Sequence, residues 1–163
     1  MKLRSFRPLA IVAISVVGAL SSFVAYAAST DTESADATTT ILADLTATKT
    51  QDLAFGTGAA SDGAKTINPA SDTTNSAAFS LTGGASATYT ITLPSSVNMT
   101  TAGGGTDAKT IVVNSFTSSP SGTGTLSGGG TGTVYVGATR AAIRADQVTG
   151  AYSGTFTVTF TYQ

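Results

Sequence analysis

From Tyr152 to Gln163 the chain alternates without exception. Tyr152, Gly154, Phe156, Val158, Phe160 and Tyr162 fall on one side, and Ser153, Thr155, Thr157, Thr159, Thr161 and Gln163 on the other. A period of two puts every second side chain on one face of a strand, whereas a helix would scatter these positions around its axis. The segment therefore predicts a strand of about 11 residues, ~36 Å long, enough to span a whole sandwich. One of its faces is aromatic and aliphatic and the other is a row of hydroxyls, as on a sheet with one buried and one solvated side.

The same period recurs upstream. Tyr89, Ile91 and Leu93 alternate with Thr88, Thr90 and Thr92 up to Pro94, and Phe79 and Leu81 share one face of a strand that ends at Gly83-Gly84. Ile41, Ala43, Leu45 and Ala47 alternate with Leu42, Asp44, Thr46 and Thr48, and Leu53 and Phe55 continue the pattern to Gly56. Further strands are expected at Thr66 to Asn68, Thr110 to Phe116, Thr133 to Gly137 and Thr139 to Ile143. Gly137 and Thr149-Gly150 bracket the last piece as a hairpin would, and a short helical turn at Ala141 to Ala145 is its alternative. The run from Ser118 to Gly132 is Gly, Ser and Thr, interrupted by Pro120 and Leu126, and reads as a flexible surface loop. It lacks the Lys and the following helix that a phosphate-cradling loop needs. With 31 Thr in the chain, β-branched side chains favour pleated surfaces over helices throughout. Seven to nine short strands joined by Gly-rich turns predict an all-β protein, an antiparallel β-sandwich of immunoglobulin-like topology over residues 40–163. A closed barrel is the alternative fold.

The first segment reads as an address. Lys2, Arg4 and Arg7 precede an apolar run from Leu9 to Leu20, and small residues follow, ending Ala25-Tyr26-Ala27. This is the pattern of a secretory signal peptide, residues 1–27, with Ala25 and Ala27 marking the cleavage site. Ser15, Gly18, Ser21 and Ser22 break the apolar run short of a membrane anchor, and no spanning segment follows it. Residues 28–39 are Ser, Thr, Asp, Glu and Ala and read as a flexible leader. The expected product is exported, to the periplasm, the cell surface or the medium. Of 8 basic residues three leave with the signal, so five remain against 9 acidic ones. A mildly acidic chain of this kind has no cationic footprint for nucleic acid.

Composition narrows the chemistry further. The chain has no Cys, no His and no Trp. A Ser-His-Asp or Cys-His pair, an imidazole- or thiolate-held metal, and a disulfide are therefore all excluded. Asp62, Asp107 and Asp146 lie far apart without a calcium-loop spacing and read as turn formers. Arg140 and Arg144, four apart, would share one face of a strand, read as a solvated or edge-guarding face rather than an anion site. No Glu follows Glu33, which argues against a carboxylate pair for glycoside cleavage. Asn98-Met99-Thr100 fits the N-glycosylation pattern but carries little weight in a Thr-rich chain. The expectation is a protein without enzymatic activity and without a cofactor or metal.

Leu53-Ala54-Phe55-Gly56, Tyr89-Thr90-Ile91-Thr92-Leu93-Pro94, Val136-Gly137-Ala138-Thr139 and Gly150-Ala151-Tyr152-Ser153-Gly154-Thr155-Phe156 resemble the bacterial family catalogued as domain of unknown function 4402. The chain is also similar to spore coat protein U and chaperone-usher pilin subunits. Those subunits end in a strand with a penultimate Tyr and a Gly fourteen residues from the end, the positions held here by Tyr162 and Gly150. The resemblance implies a fimbria-like structural subunit that self-associates into fibres and meets a periplasmic chaperone. It makes Gly150, Tyr152, Phe156, Val158, Phe160 and Tyr162 the assembly strand. The donor for a neighbouring subunit would be Ile41, Ala43, Leu45 and Ala47 behind the leader. The same four residues read equally as the first strand of a complete domain. Two departures from the pilin pattern are the missing disulfide and the small Ala43 and Ala47. The reading from another class is a self-contained secreted module that presents Gly103 to Gly105 and Ser118 to Gly132 to a glycan or protein.

Overall fold

A computed structural model describes residues 30–163. Residues 30–38 are exposed and carry no strand. The signal segment and its cleavage residues Ala25 and Ala27 lie outside the described residues. The compact unit begins at Thr39 and runs to Gln163. Its strands are β1 (Thr46–Gln51), β2 (Lys65–Thr66), β3 (Ala77–Thr82), β4 (Thr88–Thr92), β5 (Ser96–Thr100), β6 (Thr110–Ser119), β7 (Thr123–Thr125), β8 (Thr131–Arg140) and β9 (Thr159–Tyr162). All named pairings are antiparallel. The larger sheet has the order β1-β3-β8-β6-β5, with β2 joining β8, and the smaller has the order β7-β4-β9. This is the expected immunoglobulin-like sandwich: β1, β3, β8 and β6 form the run of four strands in its larger sheet, and β4 lies at the centre of the smaller one with β9 at its edge.

The central strand β8 shows why these residues make this fold. Val134, Val136, Ala138 and Arg140 alternate inward and are buried, while Thr133, Tyr135 and Thr139 lie on the other side. Both of its edges are paired, to β3 through Ala77↔Val136 and to β6 through Ser118↔Val136. The inward row meets Leu81 of β3 and Tyr89 and Ile91 of β4 in one core cluster, which also takes Leu126. A second cluster of Phe55, Ile67, Val113 and Ala138 fills the end of the sandwich where β8 finishes.

Several expected boundaries change. Thr133 to Gly137 and Thr139 to Ile143 are not two strands of a hairpin, because β8 runs without a turn through Gly137 to Arg140. That glycine serves a close approach: a Cβ there would sit 2.1 Å from the Ile67 carbonyl. The run from Ser118 to Gly132 is not a free loop. It contributes the end of β6, then β7, which pairs with β4, and Leu126, only 2% exposed. One apolar residue in a polar run carries no period, so only its tertiary contact with the core reveals it. β5 follows Pro94 almost at once and pairs with β6 through Val97↔Val113.

The C-terminal segment keeps its alternation but not a single ladder. β9 pairs with β4 from Tyr89↔Tyr162 to Thr92↔Thr159, and Ser153 forms an isolated bridge with Thr100 at the end of β5. The segment therefore passes from one sheet to the other. The reason lies in its neighbour: β4 belongs to the small sheet and β5 to the large one, with Pro94 between them. Proline offers no N–H to a ladder, so the pairing stops at the corner. Burial alternates from Thr155 to Gln163 as the sequence predicts, and breaks at Gly154, which is exposed.

Truncating Leu126 to Ala should cost about 2–5 kcal/mol of unfolding free energy, as for a fully buried leucine. Val112→Ala on the exposed side of β6 should change stability by less than about 0.5 kcal/mol. Urea unfolding of the two variants checks this, and equal midpoints would contradict the assignment of Leu126 to the core.

Candidate functional site

The C-terminal segment forms one wall of an open side of the sandwich. Phe160 meets Phe79 edge-on at 5.7 Å and Tyr89 at 6.3 Å, and Phe156 packs on Phe116 at 5.1 Å. Val158 and Tyr162 join them against the main cluster, and all four remain only half-buried. Leu45 and Leu53, on the chain running through β1, pack on the same cluster. β9 is an edge strand, since β4 covers one of its sides and no described strand covers the other. Among the described residues, the backbone of Gly154 through Val158 makes no hydrogen bond. Unpaired strand backbone beside half-buried apolar side chains is the arrangement to which another strand can add.

The two ends of this segment are tied down differently. At one end the Tyr162 hydroxyl donates to the Ala43 carbonyl at 2.7 Å and accepts the Gly84 amide at 2.7 Å. Gly83 makes room, because a Cβ there would lie 2.1 Å from that hydroxyl. At the other end Gly150 has φ +152°, and the Tyr152 hydroxyl donates to the Val148 carbonyl at 2.6 Å and accepts from the Gln147 amide at 3.0 Å. The six residues expected to form an assembly strand thus lie in one continuous segment, from Gly150 at one end of the sandwich to Tyr162 at the other.

The candidate donor residues do not stay together. Ala47 stands opposite Leu81 in β1, so the chain from Thr46 onward pairs with its own β3. Leu45 packs on the core, Ala43 is held through its carbonyl by Tyr162, and Ile41 is 90% exposed. Expected as one alternating strand from Ile41, the segment enters the sheet only at Thr46.

The two arginines also separate. Arg144 is exposed and pairs with Asp146 at 2.8 Å and Asp107 at 3.6 Å. Its hydrogen bond holds the Asp146 carboxyl below the usual carboxylate range. Arg140 does not share that solvated face. It ends β8 on the inward row and is 7% exposed, with Nη1 donating to Ala141 and Nη2 to Gly63. It lines a cavity of about 550 Å³ at the Gly150 end of the sandwich, walled by Phe55, Met99, Ile111 and Ile143. Sequence reasoning missed this site; the clue was Arg140 falling in step with Val134, Val136 and Ala138. Asp62 accepts the Ala59 amide at 2.7 Å as a turn former. Among the described residues no cluster of metal-ligating side chains is present.

The fold and this edge define a class: an antiparallel β-sandwich with an unpaired strand edge. The family model described as "Domain of unknown function (DUF4402)" matches residues 58–162, and the chain belongs to that family. The match does not extend to the spore coat protein U or pilin groups. No curated protein and no solved structure matches the chain.

Tyr162→Phe keeps the ring in the core and removes the hydroxyl bridge between Ala43 and Gly84. It should cost about 1 kcal/mol and speed amide exchange at Gly84. Unchanged exchange at Gly84 would show that the hydroxyl does not clamp this end.

Proposed function

We propose that the protein is an exported structural subunit that assembles by strand addition at the open edge between Gly150 and Tyr162. The unpaired backbone of Gly154 to Val158, beside half-buried Phe156 and Val158, is the observation that supports this reading. In an immunoglobulin sandwich the place beside β9 belongs to a seventh strand. A strand supplied there by another copy satisfies the backbone and covers the apolar row in one step.

Geometry favours one direction of addition. The chain enters the domain at Ala43, beside Tyr162. A donor antiparallel to β9 places its own subunit at the opposite end, by Gly150, away from the point where the acceptor's chain reaches Ala43. Such head-to-tail contacts leave an open end and propagate into a fibre. A parallel donor would bring both subunits to the Tyr162 end. The stretch ahead of β1 also differs in charge from the rest: Asp31, Glu33, Asp36 and Asp44 hold the whole acidic excess, since five acidic and five basic residues balance from Lys49 onward.

The donor on this reading is the stretch ahead of Ala43, with Ile41 its one large exposed apolar residue before Leu42. A mature chain of residues 28–163 should form multimers in sedimentation, and deletion of 28–42 should leave a monomer with an unchanged urea midpoint. A synthetic peptide of residues 28–42 added to the deleted chain should slow amide exchange at Gly154 to Val158. Monomeric behaviour of the full mature chain at all concentrations, or multimers indifferent to the deletion, would reject the proposal.

A further inference from the structure

Arg140 breaks the pattern of the strand that carries it. Three residues on the inward row of β8, Val134, Val136 and Ala138, are fully buried and apolar, and the fourth is a guanidinium. Desolvating a charge costs several kcal/mol unless an opposite charge and hydrogen bonds compensate. Among the described residues no carboxylate forms an ion pair with it: the three ion pairs join Lys49 to Asp52 and Arg144 to Asp107 and Asp146, and the Asp62 carboxylate stands across Gly58 from it, beyond ion-pair distance. Asp62, which precedes the Gly63 carbonyl that Arg140 touches, forms no ion pair with it. Two carbonyls take two of the guanidinium's five N–H groups, and the other three have no acceptor among the described residues.

A cavity lies beside it. Its volume, about 550 Å³, falls in the range of small-molecule sites. Its apolar walls belong to β5, β6 and the segments either side of the sheet, and none of its lining residues is acidic or, apart from Arg140, basic. Gln147 and Tyr152 brace the wall, the amide donating to the Ala108 carbonyl at 2.8 Å and to the Tyr152 hydroxyl at 3.0 Å. A guanidinium at one side of an open cavity with both apolar and polar walls suits an anion that also carries apolar surface. Planar N–H pairs suit a carboxylate, which accepts them side by side.

We propose that this cavity is a binding site for a small amphiphilic carboxylate, its head on Arg140 and its short hydrocarbon body against Phe55, Met99, Ile111 and Ile143. The cavity shares Gly150, Ala151 and Tyr152 with the C-terminal segment, while the unpaired backbone of Gly154 to Val158 lies outside its lining. Hydrogen-bonded charge pairs of this kind are worth a ten- to hundredfold in affinity, at about 1.5–3 kcal/mol.

Octanoate is the probe, titrated into the mature chain of residues 28–163 and followed by calorimetry and by the Arg140 Nε–H resonance. Saturable binding that shifts this resonance is expected, with octanol and inorganic phosphate each at least about tenfold weaker. Arg140→Met should lose that advantage, Arg140→Lys should keep part of it, and Arg144→Met should bind as the unmodified chain does. The comparison of octanoate with octanol needs no variant, so it stands if Arg140→Met fails to fold. Equal binding of octanoate and octanol, equal binding of phosphate, or no binding of octanoate overturns the proposal. So does the finding that Arg140→Met abolishes multimer formation while no free carboxylate binds, which would assign the guanidinium to subunit contacts.

Discussion

The burial of the inward row of β8 holds the two layers together, and most other features follow from it. Val134 and Val136 lie between β3 and β6 within their own sheet and face Tyr89 and Ile91 across the sandwich. With no cysteine in the chain, this packing is the cross-sheet fastening that the described residues provide. Each of these side chains contributes about 1.5–3 kcal/mol when fully buried, set against the entropy of ordering the strands, so losing one removes a large fraction of the net margin. Gly137 belongs to the same constraint, because it lets the Ile67 backbone lie directly against the strand.

That central packing leaves the two sheet edges unequal. On the larger sheet β1 is paired through its own chain and almost wholly exposed, with Thr and Lys side chains that suit an edge. On the smaller sheet β9 ends a three-stranded layer, and the residues ahead of it turn the corner between the sheets without backbone partners. The apolar row there is half-buried from one side alone. The unpaired backbone of Gly154 to Val158 and the Arg140 cavity, which takes Gly150 to Tyr152 into its wall, are neighbouring parts of one C-terminal segment.

Much of this was legible in the chain itself. Strict alternation at Tyr89 to Leu93 and at Tyr152 to Tyr162 identified both strands of the β4–β9 pair and the faces they bury. Gly83-Gly84 and Pro94 placed the breaks on either side of β4. Leu126 and β7 were not legible, because a short strand in a Gly, Ser and Thr run has too few apolar positions to show a period; β5 went unread although Val97 and Met99 alternate with Ser96, Asn98 and Thr100. Arg140 was read as a surface charge since charged residues seldom enter a core, and its burial depends on pairing with Lys65 on one side and Val113 on the other.

The sequence by itself determined the all-β class, the inward face of each long strand and the absence of imidazole and thiol chemistry. These depend on side-chain type and spacing, which are local. The tertiary structure decided which strands became neighbours, where the C-terminal segment changes sheets and which edge stays open. Those outcomes depend on pairings between residues as far apart as Ala43 and Tyr162 or Lys65 and Arg140. No local period encodes such contacts, because they arise only when two layers close on a shared core.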